Sequence, residues 1–226
     1  MLKRLELVIL ILVVAGLVML NRNLGKLVVS DEVKSEEIMV VLDAGHGGND
    51  PGKVAVTGAL EKDMNLKIAM KVKELLEKKG IAVVMTREHD EMLCPENTAN
   101  KKREDMRLRA ELINEIRPFL AVSIHQNSYT DPAVSGAQVF YYSESEEGKA
   151  MAYLMQEALL MADADNEREA KANDSYYLLK KTNVPTLIVE CGFLSNYEEA
   201  EKLETEEYQD VISNAIVKGI ESCFVK

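Results

Sequence analysis

The chain is predicted to be an α/β protein, a mostly parallel sheet of about six strands with helices on both faces. Apolar runs rich in β-branched residues recur at Val40-Val41-Leu42, Leu120-Ala121-Val122-Ser123-Ile124 and Thr186-Leu187-Ile188-Val189, as buried strands require. Segments of helical periodicity stand between them, and that alternation builds parallel sheets. A length of 226 residues suits one domain with a sizeable core and is short for two. No internal repeat or low-complexity tract argues otherwise.

Taken in order, strand one is expected from Ile38 to Asp43, followed by a glycine-rich loop to Gly58. A helix from Glu61 to Lys79 places Leu66, Ala69, Met70, Val72 and Leu76 at mostly helical spacing, and Gly80 is a natural C-terminal stop. Strand two runs from Ile81 to Met85, and a loop leads to a second helix over Lys101 to Ile116, ended by Pro118. Strand three delivers His125, and Gly136 to Tyr142 reads as strand four. A helix from Glu146 to Met161 and a polar connection to Asp174 lead to a strand that reaches Glu190, and a last helix spans Glu206 to Cys223.

The N-terminus carries a separate message. Lys3 and Arg4 precede an apolar stretch from Leu7 to Leu20, shorter than the roughly 20 residues of a full span. Residues 1–22 read as a signal anchor or signal peptide. The uncleaved anchor is preferred because no small-x-small cleavage site follows Leu20, and Lys3 and Arg4 would stay inside. Residues 23–37 form a polar linker and residues 38–226 the catalytic domain. Either reading exports that domain, and the uncleaved anchor gives it a membrane partner through the N-terminal segment. A net charge of -11 argues against nucleic acid, which needs a concentrated basic face. Three cysteines, Cys94, Cys191 and Cys223, make no disulfide framework, and Cys191 continues a buried strand as a small apolar residue.

The chain has three histidines, and two of them, His46 and His125, end apolar runs where sites gather in open α/β sheets. With Glu61 they offer two imidazoles and a carboxylate, the ligand set of a catalytic zinc site, leaving Glu190 as a base. Each residue alone also has a plainer reading. His46 fits a turn, His125 a satisfied interior group, Glu61 a carboxylate favoured at a helix N-terminus, and Glu190 a buried salt bridge to an arginine. His89 lies in a polar stretch and is expected to be exposed, and Glu144, Glu146 and Glu147 read as a solvated helix start.

Four segments, Asp43-Ala44-Gly45-His46-Gly47-Gly48-Asn49-Asp50-Pro51-Gly52, Glu61-Lys62-Asp63-x-Asn65-Leu66, Ser123-Ile124-His125-x-Asn127-Ser128 and Glu190-x-Gly192-Phe193-Leu194-Ser195-Asn196, in this order resemble the zinc-dependent N-acetylmuramoyl-L-alanine amidases from about Met39 to Leu203. Tyr176-Tyr177-Leu178-Leu179-Lys180-Lys181-Thr182 and Glu190-Cys191-Gly192 are most similar to the germination-type members of spore-forming bacteria. The resemblance implies a phosphorylase/hydrolase-like fold, Zn2+ held by His46, Glu61 and His125, and Glu190 as general base. It implies cleavage of the amide between the lactyl group of N-acetylmuramic acid and L-alanine in peptidoglycan. For a germination-type member the substrate would be spore cortex, where stem-peptide removal precedes muramic-δ-lactam formation, and an accessory activating lipoprotein would be a partner.

Other residues enter less sharply. Arg87 and Arg109, with Asp90 and Asn114, match a secondary family pattern and read as a structural or supporting ion-pair set rather than a substrate contact. Asn127 and Asn196 would orient substrate or cap loops. Lys53 and Gln126 stand where the family commonly has small residues, which bears on substrate fit. Ser143 to Val184 has room for a packing helix and one short element, so the inhibitory helix of cell-division members is not expected. A zinc peptidase cutting within stem peptides would use the same ligands, whereas a non-catalytic wall-binding module would be expected to have lost one of the four site residues.

Overall fold

The computed structural model describes residues 38–224; the expected signal segment and linker lie outside them. Strands are β1 (Met39–Ala44), β2 (Ala82–Met85), β3 (Leu120–Asn127), β4 (Gln138–Tyr141), β5 (Lys171–Ala172) and β6 (Thr186–Phe193). Helices are α1 (Glu61–Lys78), α2 (Lys101–Ile116), α3 (Glu146–Ala162), α4 (Tyr177–Lys181), α5 (Tyr197–Glu204) and α6 (Glu206–Phe224). Among these helices none is long and apolar enough to cross a membrane.

One six-stranded sheet has the order β2-β1-β3-β6-β4-β5. The first four strands in that order are mutually parallel, and β4 runs antiparallel to β6. Because β2 and β3 flank β1 on opposite sides, the chain reverses its winding at β1, and crevices open beyond the carboxyl ends of strands at such a point. The same ends of β1, β3 and β6 lie side by side.

Alternation along the strands divides the core between two faces. Val40, Leu42, Leu120, Val122, Ile124, Leu187 and Val189 pack with α1, α3 and α6. Val41 and Ala121 pack with Ala110 and Ile113 of α2 and Leu178 of α4. On α1 the buried stripe is Met64, Ile68, Ala69, Val72 and Leu76. Met70, expected on that stripe, is exposed, one position out of phase.

The α2 face also buries charge. Asp43, Arg87, Asp105 and Arg109 are each no more than 3% exposed. Arg109 donates from Nη1 to Asp43 Oδ1 at 2.7 Å and from Nε to Asp105 Oδ2 at 2.7 Å. It also donates to the carbonyls of Ala44 (2.8 Å) and His46 (2.7 Å). Asp43 further accepts from Thr86 (2.7 Å) and Ser123. Burial would raise the Asp43 pKa, but the Arg109 charge and the two hydroxyls outweigh it and lower it to about 2. Arg87 donates to the carbonyls of Ala44, Gly45, Lys62 and His89. Both arginines thus donate to carbonyls at the end of β1 and in the turn after it.

Removing one partner of a buried pair strands the other. Arg109→Met should lower unfolding free energy by about 3–5 kcal/mol, read as a lower midpoint in urea denaturation; an unchanged midpoint would show that the pair does not hold the fold.

Candidate active site

The loop after β1 makes an unusual turn at the residue that matters most. His46 has φ 61, a left-handed conformation that costs a non-glycine residue energy and recurs at functional sites. It is held there by Arg109 on its carbonyl and by an Nδ1 hydrogen bond of 2.8 Å to Asp50 Oδ2. The other ring nitrogen, Nε2, lies 3.2 Å from Glu61 Oε1. His125, near the end of β3, places Nδ1 3.0 Å from the same oxygen.

Glu61 is the first residue of α1, where the helix N-terminus favours a carboxylate. Its Oε2 accepts from Lys53 N at 2.8 Å and its Oε1 from Gln126 N at 3.2 Å. Burial opposes its ionisation, but His125 and His46 hold the carboxyl far below the usual range. Burial likewise opposes charging of His46, yet Asp50 and Glu61 raise its pKa to about 9. Asp50 is held low by His46 above all.

One donor atom each from His46, Glu61 and His125 lies within 4.8 Å of the others. Two imidazoles and a carboxylate at these separations fit a single divalent ion with bonds of about 2.0–2.2 Å. A carboxylate behind the outer nitrogen of a ligating histidine, as Asp50 is behind His46, is the usual support of such a site.

Glu190 sits on β6 directly beside His125, its Cα partner across the β3–β6 ladder. It is 5% exposed. Burial pushes its pKa up, with His125 opposing the rise. Among the described residues no arginine pairs with it, so the plain salt-bridge reading finds no partner there. Its Oε1 accepts from the Tyr176 hydroxyl at 3.1 Å, while Oε2 is buried without a partner. A buried, unpartnered carboxylate oxygen beside a metal-type triad is placed to accept a proton. Cys191, the next residue, is fully buried and its thiol is pushed far up by burial, which rules it out as a nucleophile.

All four residues line one cleft of about 520 Å³, together with Lys53, Lys102, Gln126, Asn127, Ser128, Tyr176, Tyr177 and Leu178. Asn127 reaches this cleft and also accepts from Ser128 N. Asn196 lies outside the lining: it caps α5 by accepting from Glu199 N and donates to Pro132 O. Asn114 ties α2 to the end of α4 and the loop that follows it, through Lys181 O and Asn183 N. His89, Glu144, Glu146 and Glu147 are exposed. Between Ser143 and Val184 lie α3, the two-residue β5 and the five-residue α4, in keeping with one packing helix and little more. Asp50, Asn65 and Tyr176 stood in the family-like segments with no role assigned to them. Asn65, one turn after Glu61 on α1, donates to the Gly45 carbonyl at 3.0 Å and joins Gln126.

The profile of the N-acetylmuramoyl-L-alanine amidase family matches residues 40–222. The chain belongs to this family. It is 41% identical over 186 residues to the germination-specific N-acetylmuramoyl-L-alanine amidase of Bacillus subtilis (strain 168), covering 80% of this chain and 78% of that protein. The CwlD amidase from Clostridioides difficile, solved in complex with the GerS lipoprotein, superposes with a TM-score of 0.79 at 40% identity, over 82% of this chain and 97% of that one. The amidase AmiC2 of Nostoc punctiforme gives 0.73 at 31%, over 83% and 97%. The germination-type resemblance read from the motifs thus holds, as does the mostly parallel α/β amidase fold.

Close packing around the triad explains two of its glycines. A Cβ on Gly45 would lie 2.2 Å from the His125 ring, and one on Gly52, at φ +70, 2.5 Å from Glu61 Oε2. Gly45→Ala should therefore displace His125. Purified protein should carry markedly less divalent metal while retaining wild-type circular dichroism; full metal content would show that the ring does not need this position.

Proposed function

We propose that this amidase is zinc-dependent and hydrolyses the amide between the lactyl group of N-acetylmuramic acid and the L-alanine of peptidoglycan stem peptides. The observation that carries the reading is the unpartnered Oε2 of Glu190 in the same cleft as His46, Glu61 and His125. His46 through Nε2, His125 through Nδ1 and Glu61 would hold the ion. Bound there, zinc supplies Lewis acidity that polarises an amide carbonyl and makes water nucleophilic near neutral pH.

The protein does the rest. Glu190 Oε2 takes a proton from the attacking water, and burial, by raising its pKa, lets the carboxyl keep that proton until the C–N bond breaks. The proton then passes to the departing nitrogen, leaving a free L-alanine amine and a lactyl carboxylate. Asn127 at the cleft edge is assigned to substrate contact, and Asn196 supports the loop beside it through Pro132. Arg87 and Arg109 hold the His46 turn.

The germination-specific relative and the CwlD likeness support spore cortex as the substrate, with the product entering muramic-δ-lactam formation. They also support an accessory lipoprotein as partner. Cell-wall chemistry places the catalytic domain outside the cytoplasm, and residues 1–22 are assigned to a signal anchor.

Digesting purified peptidoglycan with the zinc-loaded protein should release intact stem peptides with new L-alanine amino termini, seen by mass spectrometry. Glu190→Gln should lose about 10²–10⁴-fold in rate; cleavage between stem amino acids would instead identify a peptidase. Asp50→Asn should weaken zinc about 10–100-fold in chelator competition. Because the His46 Nε2 proton must leave before that nitrogen can ligate, wild-type affinity should fall about tenfold per pH unit below its pKa of about 9, and a flat profile would contradict the assignment.

A further inference from the structure

We propose that Tyr176 is a positioning residue for the hydrolysis, its phenol tying down Oε1 of Glu190 so that Oε2 is the oxygen that handles the proton. This rests on the reading of Glu190 as the base. The two oxygens of that carboxylate are not equivalent. Oε1 accepts from Tyr176 Oη at 3.1 Å, and Oε2 is buried with no partner. Nothing else among the described side chains donates to Glu190.

The phenol is placed independently of the carboxylate it holds. Its ring stacks edge-on against Phe140 of β4 with centroids 5.6 Å apart. Its backbone N donates to Asn173 Oδ1 at 3.2 Å, and the same oxygen takes the N (2.8 Å) and the hydroxyl (2.7 Å) of Ser175. A compact turn anchored on one strand thus presents a hydroxyl to a residue on the next. Burial and the adjacent Glu190 charge raise the Tyr176 pKa well above its ordinary value, so the group stays a donor through turnover.

The consequence for the proton is specific. Water gives its proton to Oε2, because Oε1 already accepts the phenol. The Oε2 proton then passes to the amine nitrogen as the C–N bond breaks, and the phenol proton never leaves oxygen. Without Tyr176 the carboxyl turns about its broad terminal torsion and loses the hydrogen bond that stabilises its charged form.

Tyr176→Phe keeps the ring on Phe140 and removes only the hydroxyl. On peptidoglycan fragments kcat should fall about ten- to a hundredfold, with KM and bound zinc changed by under about twofold. In the Glu190→Gln background the same substitution should change the residual rate by under about twofold, because the two act as a unit. In metal-free protein, the infrared difference between wild type and Tyr176→Phe should contain a shifted carboxylate stretch that is absent from the Glu190→Gln pair. Wild-type kcat in Tyr176→Phe, an equal loss in both backgrounds, or no carboxylate shift would each overturn the proposal. If the wild type cleaves no muramoyl amide, the amidase reading fails, and the infrared comparison still decides whether the phenol holds Glu190.

Discussion

The buried charge of Arg109 is the constraint on which the site depends. A guanidinium at 1% exposure needs every donor satisfied, and this one finds carboxylates on β1 and α2 and carbonyls at Ala44 and His46. Those carbonyls belong to the turn that aims the first imidazole. Desolvation of one cation thus fixes the strand, the helix packed on it and the left-handed residue at the strand's end. Arg87 repeats the arrangement on the neighbouring carbonyls of Ala44 and Gly45.

On that frame the charged groups of the cleft set one another. Two imidazoles facing one oxygen of Glu61 hold its carboxyl low, and carboxylates flanking both nitrogens of His46 raise its pKa. Glu190 escapes this mutual neutralisation. It sits one strand over from His125, buried and with half its carboxylate unsatisfied. Neighbouring carboxylates in different surroundings are thus pushed in opposite directions, Glu61 low and Glu190 up.

Much of this was legible in the chain because it is local. Apolar runs and helical periodicity marked β1, β3, β6, α1, α2, α3 and α6 to within a few residues. What the sequence withheld depends on tertiary contact. The two residues of β5 pair only because β4 lies beside them. The five residues of α4 have no period to read, and α5 opens on Asn196, whose cap was visible only as one of two options. Tyr176 belonged to a segment noticed for family likeness alone; its contact with Glu190 spans 14 positions. A signal was there to use, since an apolar strand carrying a lone carboxylate needs a donor from somewhere. Asp50, four residues past His46, stood in the first family-like segment, but its contact with the ring depends on the turn between them.

The antiparallel placement of β4 against β6 has a mechanical result. It leaves β6 hydrogen-bonded on both sides, with all eight of its residues buried, so the wall that carries Glu190 belongs to the slowest-opening part of the molecule. Tyr176 leads into the five-residue α4, whose Leu178 and Leu179 are buried, so the donor that meets Glu190 is tied to the core as well.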